Sequence, residues 1–283
     1  MRTHVLLCGP YDGPLPTDPQ IHALPNLPGR RDLQLLNEIT SVHLPHDPTP
    51  TLEEITRQPD VAHLSEPKLA PQREHLTEPL RFIVVGSDAA LSAILTRLMR
   101  IDALWVEIAF IPQVSSTTAT SWNIAGDPWK LALEGSIAPT PLIRDDAGIA
   151  IAGSASITTW DGTELYGEII VDSETLCAGF EEGLRRKIGT YGTKLVPMLK
   201  APGIAAVPYT TSLEPRTGFL GLRDRSPRGS VDSSRLATGR ALQAGGKQLK
   251  VTVDGITRPR PVKHVTFYRH LRDLQAVRIK HAG

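Results

Sequence analysis

The stretch Pro79–Pro112, PLRFIVVGSDAALSAILTRLMRIDALWVEIAFIP, decides how the chain folds. Phe82 to Val85 is a short continuous apolar run, the pattern of a strand buried on both faces. From Ala90 onward the apolar residues Ala90, Leu91, Ile94, Leu95, Leu98 and Met99 recur at helical spacing. Ser92, Thr96, Arg97 and Arg100 fall between them, which predicts one amphipathic helix. Val106 to Ile111 is a second buried strand. The unit is strand, tight turn, helix, strand. Its turn, Gly86-Ser87-Asp88-Ala89-Ala90, lies where an α/β fold presents backbone N–H groups to a ligand.

Working outward, 283 residues suffice for one large domain or two modest ones. The net charge of +1 gives no global attraction to nucleic acid or to an acidic membrane. Two cysteines, Cys8 and Cys177, are too few for a disulfide framework, which favours a reducing compartment. The apolar run at the start is too short for a secretory signal, and no run is long enough for a transmembrane segment. A cytoplasmic protein is the expectation. The nine histidines show no metal-ligand spacing, and no metal site is assigned.

On the N-terminal side, His4 to Cys8 reads as a first strand ending in a Gly9–Gly13 turn. Thirteen of the 24 prolines lie in the first 80 residues, and the region 14–78 is expected to be loosely structured. Within it, Leu33 to Thr40 reads as a short helix or strand. Thr51 and Glu54 form a capping box for a second short helix.

On the C-terminal side, Gln113 to Thr120 reads as a polar loop, and Asp127-Pro128 opens a helix that Gly135 ends. Beyond it the period changes to that of strands. Trp160-Asp161-Gly162-Thr163 reads as a hairpin turn followed by a return strand, Glu164 to Val171. Short strands are expected between Leu195 and Thr211, and a surface loop from Arg216 to Thr238. Gln248 to Val253 alternates and ends in an Asp254-Gly255 turn; Val262 to Tyr268 and Leu274 to Ile279 close the chain. The division this suggests is an α/β domain over 1–142 and a β-rich domain over 143–283, the last strands returning to the first domain. From Arg258 onward, seven Lys or Arg face one Asp, which reads as a solvated basic sheet face.

The order of these features resembles the diacylglycerol kinase and NAD kinase superfamily, above all its bacterial lipid kinase branch. VVGSDAALSAIL falls on the family's Gly-Gly-Asp-Gly-Thr loop and helix, IPQVSSTTA on its Gly-Thr-Gly-Asn-type loop, AGDPWKLALEGSI on the helix introduced by Asp-Pro, and LKVTVDGI on the Asp-Gly-Glu strand. The resemblance covers Arg81 to Ile279. It implies an N-terminal Rossmann-like α/β domain, a C-terminal β-sandwich domain and a small-molecule cleft between them, with homo-oligomerisation and no nucleic-acid partner.

Residue by residue, Gly86 matches the first glycine and Asp88 the aspartate linked to metal and acid/base work. Ser87, Ala89 and Ala90 stand in place of Gly, Gly and Thr. Val114, Ser115, Ser116 and Thr117 replace Gly, Thr, Gly and Asn. Asp254 and Gly255 match the last motif, and Ile256 replaces its glutamate. The resemblance thus implies Asp88 as the catalytic candidate, and Gly86, Ser87, Ser115, Ser116, Thr117 and Asp254 as the cofactor-binding candidates. ATP and Mg2+ are the implied cofactors. Phosphoryl transfer depends on positioning and on neutralising charge, so the missing glycines matter. Two functions follow from the sequence. One is a degenerate member that binds a ligand or partner without phosphotransfer. The other is a divergent ATP-dependent kinase acting on a lipid or nucleotide hydroxyl. Read without the resemblance, Asp88 is an N-cap, Ser115 to Thr118 a solvated turn, and Asp254-Gly255 a hairpin turn.

Overall fold

The computed structural model describes residues 1–44, 49–57, 65–179, 181–182, 185–186, 190–214 and 227–279. The first part of the chain runs β1 (Arg2–Cys8), β2 (Gln20–Leu24), α1 (Gln34–His43), α2 (Leu52–Thr56), β3 (Leu80–Gly86), α3 (Asp88–Arg100), β4 (Glu107–Pro112), α4 (Thr117–Ser121) and α5 (Pro128–Glu134). Strands follow: β5 (Ile143–Asp145), β6 (Ala150–Ile151), β7 (Ala155–Thr159), β8 (Gly167–Val171), β9 (Glu174–Gly179), β10 (Glu181–Glu182), β11 (Arg185–Arg186), β12 (Gly192–Pro197) and β13 (Ile204–Pro208). The chain closes with β14 (Ala237–Gly239), β15 (Ala241–Val253), β16 (Ile256–Thr257), β17 (Val262–Arg269) and β18 (Gln275–Ala276).

Five strands form a parallel sheet in the order β18-β4-β3-β1-β2. Every residue of β3 is buried, as its continuous apolar run demands. Leu80, Phe82 and Val84 face a core shared with α3, where Leu91, Ile94, Leu95 and Leu98 are fully buried. At about 1.5–3 kcal/mol for each such side chain, this stripe anchors the helix. Ile83 and Val85 face the other side, against Ala132, Trp129 and Leu133 of α5. The sheet is therefore covered on both faces. Buried Arg81 joins the layers: its guanidinium meets Glu107 of β4 at 2.7 Å and donates to the α5 carbonyls of Ala132 and Leu133.

The second sheet is antiparallel and has eleven strands, with the long β15 pairing β7, β8, β16 and β17. Two antiparallel bridges, Ile137 with Val277 and Thr140 with Leu274, line up the segments that leave the parallel sheet and return to it. The last strand, β18, rejoins the first sheet beside β4. Among the described residues, no helix is long and apolar enough to cross a membrane.

Several expectations need correction. The described part of 14–78 holds an edge strand, β2, that the proline pattern did not point to, besides the two short helices; β2 fits between Pro19 and Pro25 because only one of its edges needs a partner. The loop Gln113 to Thr120 contains α4. The turn at Trp160 to Thr163 does not join a hairpin: β7 pairs β12 and β15, while β8 pairs β9 and β15. The basic C-terminal segment is not a uniformly solvated face. Arg269 and Arg278 are buried, and Arg269 pairs with Asp273 at 2.8 Å. Of the loop expected over Arg216 to Thr238, residues 216–226 lie outside the described residues, and β14 lies in the remainder.

Candidate functional site

The turn after β3 is set by two local effects. A Cβ on Gly86 would lie 2.9 Å from the Cβ of Cys8, so the glycine lets β3 approach β1 closely. Ser87, not Asp88, caps α3: its Oγ accepts from the Ala90 N–H at 3.2 Å. Asp88 is thereby released from capping its own helix and turns outward to another. Its Oδ1 accepts from the Ser116 hydroxyl at 2.5 Å, and its Oδ2 from the backbone N–H groups of Thr117 (2.9 Å) and Thr118 (3.4 Å). Asp88 therefore sits at the N-terminus of α4, where the unpaired N–H groups and the helix dipole favour a negative charge. Ser116 caps the same helix through the Ala119 N–H at 2.9 Å.

Asp254 comes to the same place from the second sheet. With Gly255 it forms the two-residue turn between β15 and β16, both at positive φ (48° and 84°). Its carboxylate points inward and accepts three backbone N–H groups at 2.8 Å, those of Ala152, Gly153 and Ser154. Burial, and to a lesser degree the charge of Asp88, raise its pKa to about 7 against the lowering effect of those hydrogen bonds. The Ala152–Ser154 turn lies between the two carboxylates. A Cβ on Gly153 would come within 2.5 Å of Asp88 Oδ2 and 3.1 Å of Thr117 Cβ.

Asp88, Ser116, Thr117 and Asp254 are thus brought together, with Ser87 and Gly86 beside them. Ser115 is not: it is exposed, next to Val114, which is 61 % exposed. A carboxylate offers about four acceptor positions. Three are taken by protein donors at Asp88, and three at Asp254. The sequence could not show this pairing. Asp88 and Ser116 are 28 residues apart, and Asp254 and Ala152 are 102 apart.

Two cavities flank the paired carboxylates. One, of about 780 Å3, lies at the carboxyl ends of β1, β3 and β4, between Tyr11, Asn26, Ser87 and Val114. The chain passes from β1 to β2 on one side and to β3 on the other, so this is the crevice where open α/β sheets take ligands. The other, of about 920 Å3, lies between the sheets, with Ala89 and Ala93 of α3 on one wall and Val253 and Ile256 on the opposite one. Its walls come from three distant segments, so no single motif marks its lining.

No protein-family model matches the chain, and no curated protein matches it by sequence. Among solved structures, it is similar to a diacylglycerol kinase from Bacillus anthracis (9 % identity, TM-score 0.47, 70 % of this chain and 78 % of that one). It is also similar to an NAD kinase from Archaeoglobus fulgidus in complex with ATP (11 %, 0.43, 97 % and 92 %). A third is yeast NADH kinase complexed with NADH (10 %, 0.36, 71 % and 62 %). Residue roles are not transferred from them at such values.

Proposed function

We propose that the chain is a ligand-binding protein on a lipid-kinase- and NAD-kinase-like framework and does not transfer phosphoryl groups. The observation supporting this most directly is the occupation of both candidate carboxylates by protein donors. Mg2+ requires near-octahedral oxygen ligands and binds through one or two free carboxylates plus phosphate oxygens. Asp88 gives its acceptors to Ser116 and the α4 N-terminus, and Asp254 gives its own to the Ala152–Ser154 turn. With a pKa of about 7, Asp254 also carries only part of a negative charge at neutral pH. These residues do not fit a Mg2+–ATP complex. The ligand then belongs in the cavity between the two sheets, beside the locked carboxylates rather than on them.

Calorimetric titration of the whole chain with ATP, with and without Mg2+, tests this. No saturable heat at millimolar nucleotide is expected. One equivalent of Mg2+-dependent binding would instead support a divergent ATP-dependent kinase with Asp88 in the metal or acid/base role.

A further inference from the structure

We infer that the cavity between the two sheets binds an anionic amphiphile, a single aliphatic chain carrying a phosphate or carboxylate head. This rests on the reading of the chain as a ligand-binding protein. The cavity, of about 920 Å3, has three walls: the α3 face of Ala89, Ala93 and Thr96, the loop Leu27 to Leu33, and the segment from Val253 to Val262 with Ile149 beside it.

Its interior polar groups are already committed to protein. Ser92 Oγ donates to the Ala150 carbonyl at 2.6 Å, and Thr96 Oγ1 accepts the Ala150 N–H at 2.9 Å. Asp145 accepts from the Ile149 N–H at 2.8 Å and from Arg258 at 2.7 Å. Among the described residues, no aromatic ring lines the space. What remains for a ligand body is largely aliphatic surface.

The rim is different. Arg30, Arg97, Arg100 and Arg260 line the cavity, and among the described residues none of them forms an ion pair. Arg97 is held by the neutral side-chain oxygen of Asn37 at 2.6 Å. Arg100 reaches only the carbonyls of Ala147 (3.4 Å) and Gly148 (3.2 Å). Asp145, the acidic residue lining the cavity, and its neighbour Asp146 are both taken by Arg258, so neither is paired with the other four guanidinium groups. Guanidinium groups match phosphate and carboxylate oxygens in a fixed two-pronged geometry. Leu27 (47 % exposed) and Ile256 (50 % exposed) stand at the opening, as expected of an entry for an apolar chain. The charge excludes cationic amphiphiles, and the aliphatic lining selects for the chain.

The test is displacement of dansyl-labelled undecanoate from the full chain, with every competitor held below its micelle concentration. Dodecyl phosphate and dodecanoate are expected to compete at one equivalent, the tighter of the two identifying the head group. Affinity should fall about fourfold for each methylene removed towards hexyl phosphate. Dodecyltrimethylammonium and inorganic phosphate should not compete. Ala93→Phe, which projects a ring into the cavity, should abolish binding. The surface double variant Arg30→Ala/Arg260→Ala should weaken it tenfold or more with an unchanged thermal midpoint. Non-saturable uptake of the probe, equal competition by the cationic amphiphile, or undiminished affinity in the arginine variant would overturn the inference. If neither amphiphile nor Mg2+–ATP binds, this inference falls while the absence of phosphotransfer stands. Displacement of the probe by Mg2+–ATP would overturn both.

Discussion

Replacing Asp88 by alanine removes a carboxylate on which three donors converge, at 2.5, 2.9 and 3.4 Å. The two short contacts are charge-assisted and contribute about 1.5–3 kcal/mol each when fully buried. Asp88 is only half-buried, so roughly half of that applies. The long contact adds little. Loss of a negative charge at the α3 and α4 N-termini costs about 0.5–1 kcal/mol more. Relief of the repulsion from Asp254 returns a part of the total. The expected net loss is about 2 kcal/mol. In a urea titration with a slope of about 2–3 kcal/mol/M, this lowers the midpoint by roughly 0.7–1 M. Asp88→Asn, which keeps one acceptor oxygen, should lose about half as much. Removing the Asp88 charge should also lower the Asp254 pKa, visible as earlier loss of a protonated-carboxyl infrared band on raising the pH. An alanine variant as stable as the parent to within about 0.5 kcal/mol would refute the structural role given to Asp88.

Gly153→Ala should destabilise by about 1–3 kcal/mol, because its Cβ would press on Asp88 Oδ2; in a double-mutant cycle with Asp88→Ala much of that cost should vanish. Glu107→Ala leaves the Arg81 guanidinium buried without its partner, and calorimetry should show a loss of about 3 kcal/mol, the low end for a broken buried pair, since α5 carbonyls still accept from Arg81. Acidification should also destabilise the fold. Burial lowers the pKa of His4 and His270 to about 4, helped at His4 by His22, His43 and Arg2, and opposed at His270 by a hydrogen bond with the Arg272 backbone, whereas the unfolded chain takes up those protons near 6.5. The stability they contribute is present above 6.5 and lost as the pH falls to 4, up to about 3 kcal/mol for each. Asp254 acts oppositely: its raised pKa contributes stability below about 4 that is lost as the pH rises to 7. Two histidines outweigh one carboxyl, so urea midpoints should fall from pH 6.5 to pH 4, and more steeply in Asp254→Asn.

What the sequence made legible was local. The βαβ unit follows from the apolar run of β3 and the stripe of α3. The capping box of Thr51 and Glu54, the Asp127–Pro128 start of α5 and the Asp254–Gly255 turn each depend on residues within four positions of one another. The misreadings were decided by distant partners. The run Thr117 to Ser121 has poor helical propensity, and α4 forms with its N-terminus tied to Asp88, 28 positions away. The segment Glu164 to Val171 looks like the return arm of a hairpin, but β15 offers both β7 and β8 a longer edge than they offer each other. For the candidate site, the resemblance picked out Asp88, Ser116, Thr117 and Asp254, and the fold does collect them. That the Asp254 oxygens would face backbone N–H groups depends on the Ala152–Ser154 turn, and that those of Asp88 would do so depends on the α4 N-terminus; neither has a motif of its own.

In the proposed function, the Asp88 and Asp254 carboxylates tie the protein together and hold no metal–nucleotide complex. The most direct measurement is the electron paramagnetic resonance signal of free Mn2+, a stand-in for Mg2+, titrated with the protein at saturating ATP. A signal set by ATP alone, unchanged by the protein and identical in Asp88→Asn, is expected. A further loss of signal amounting to one Mn2+ per chain, abolished in Asp88→Asn, would contradict it.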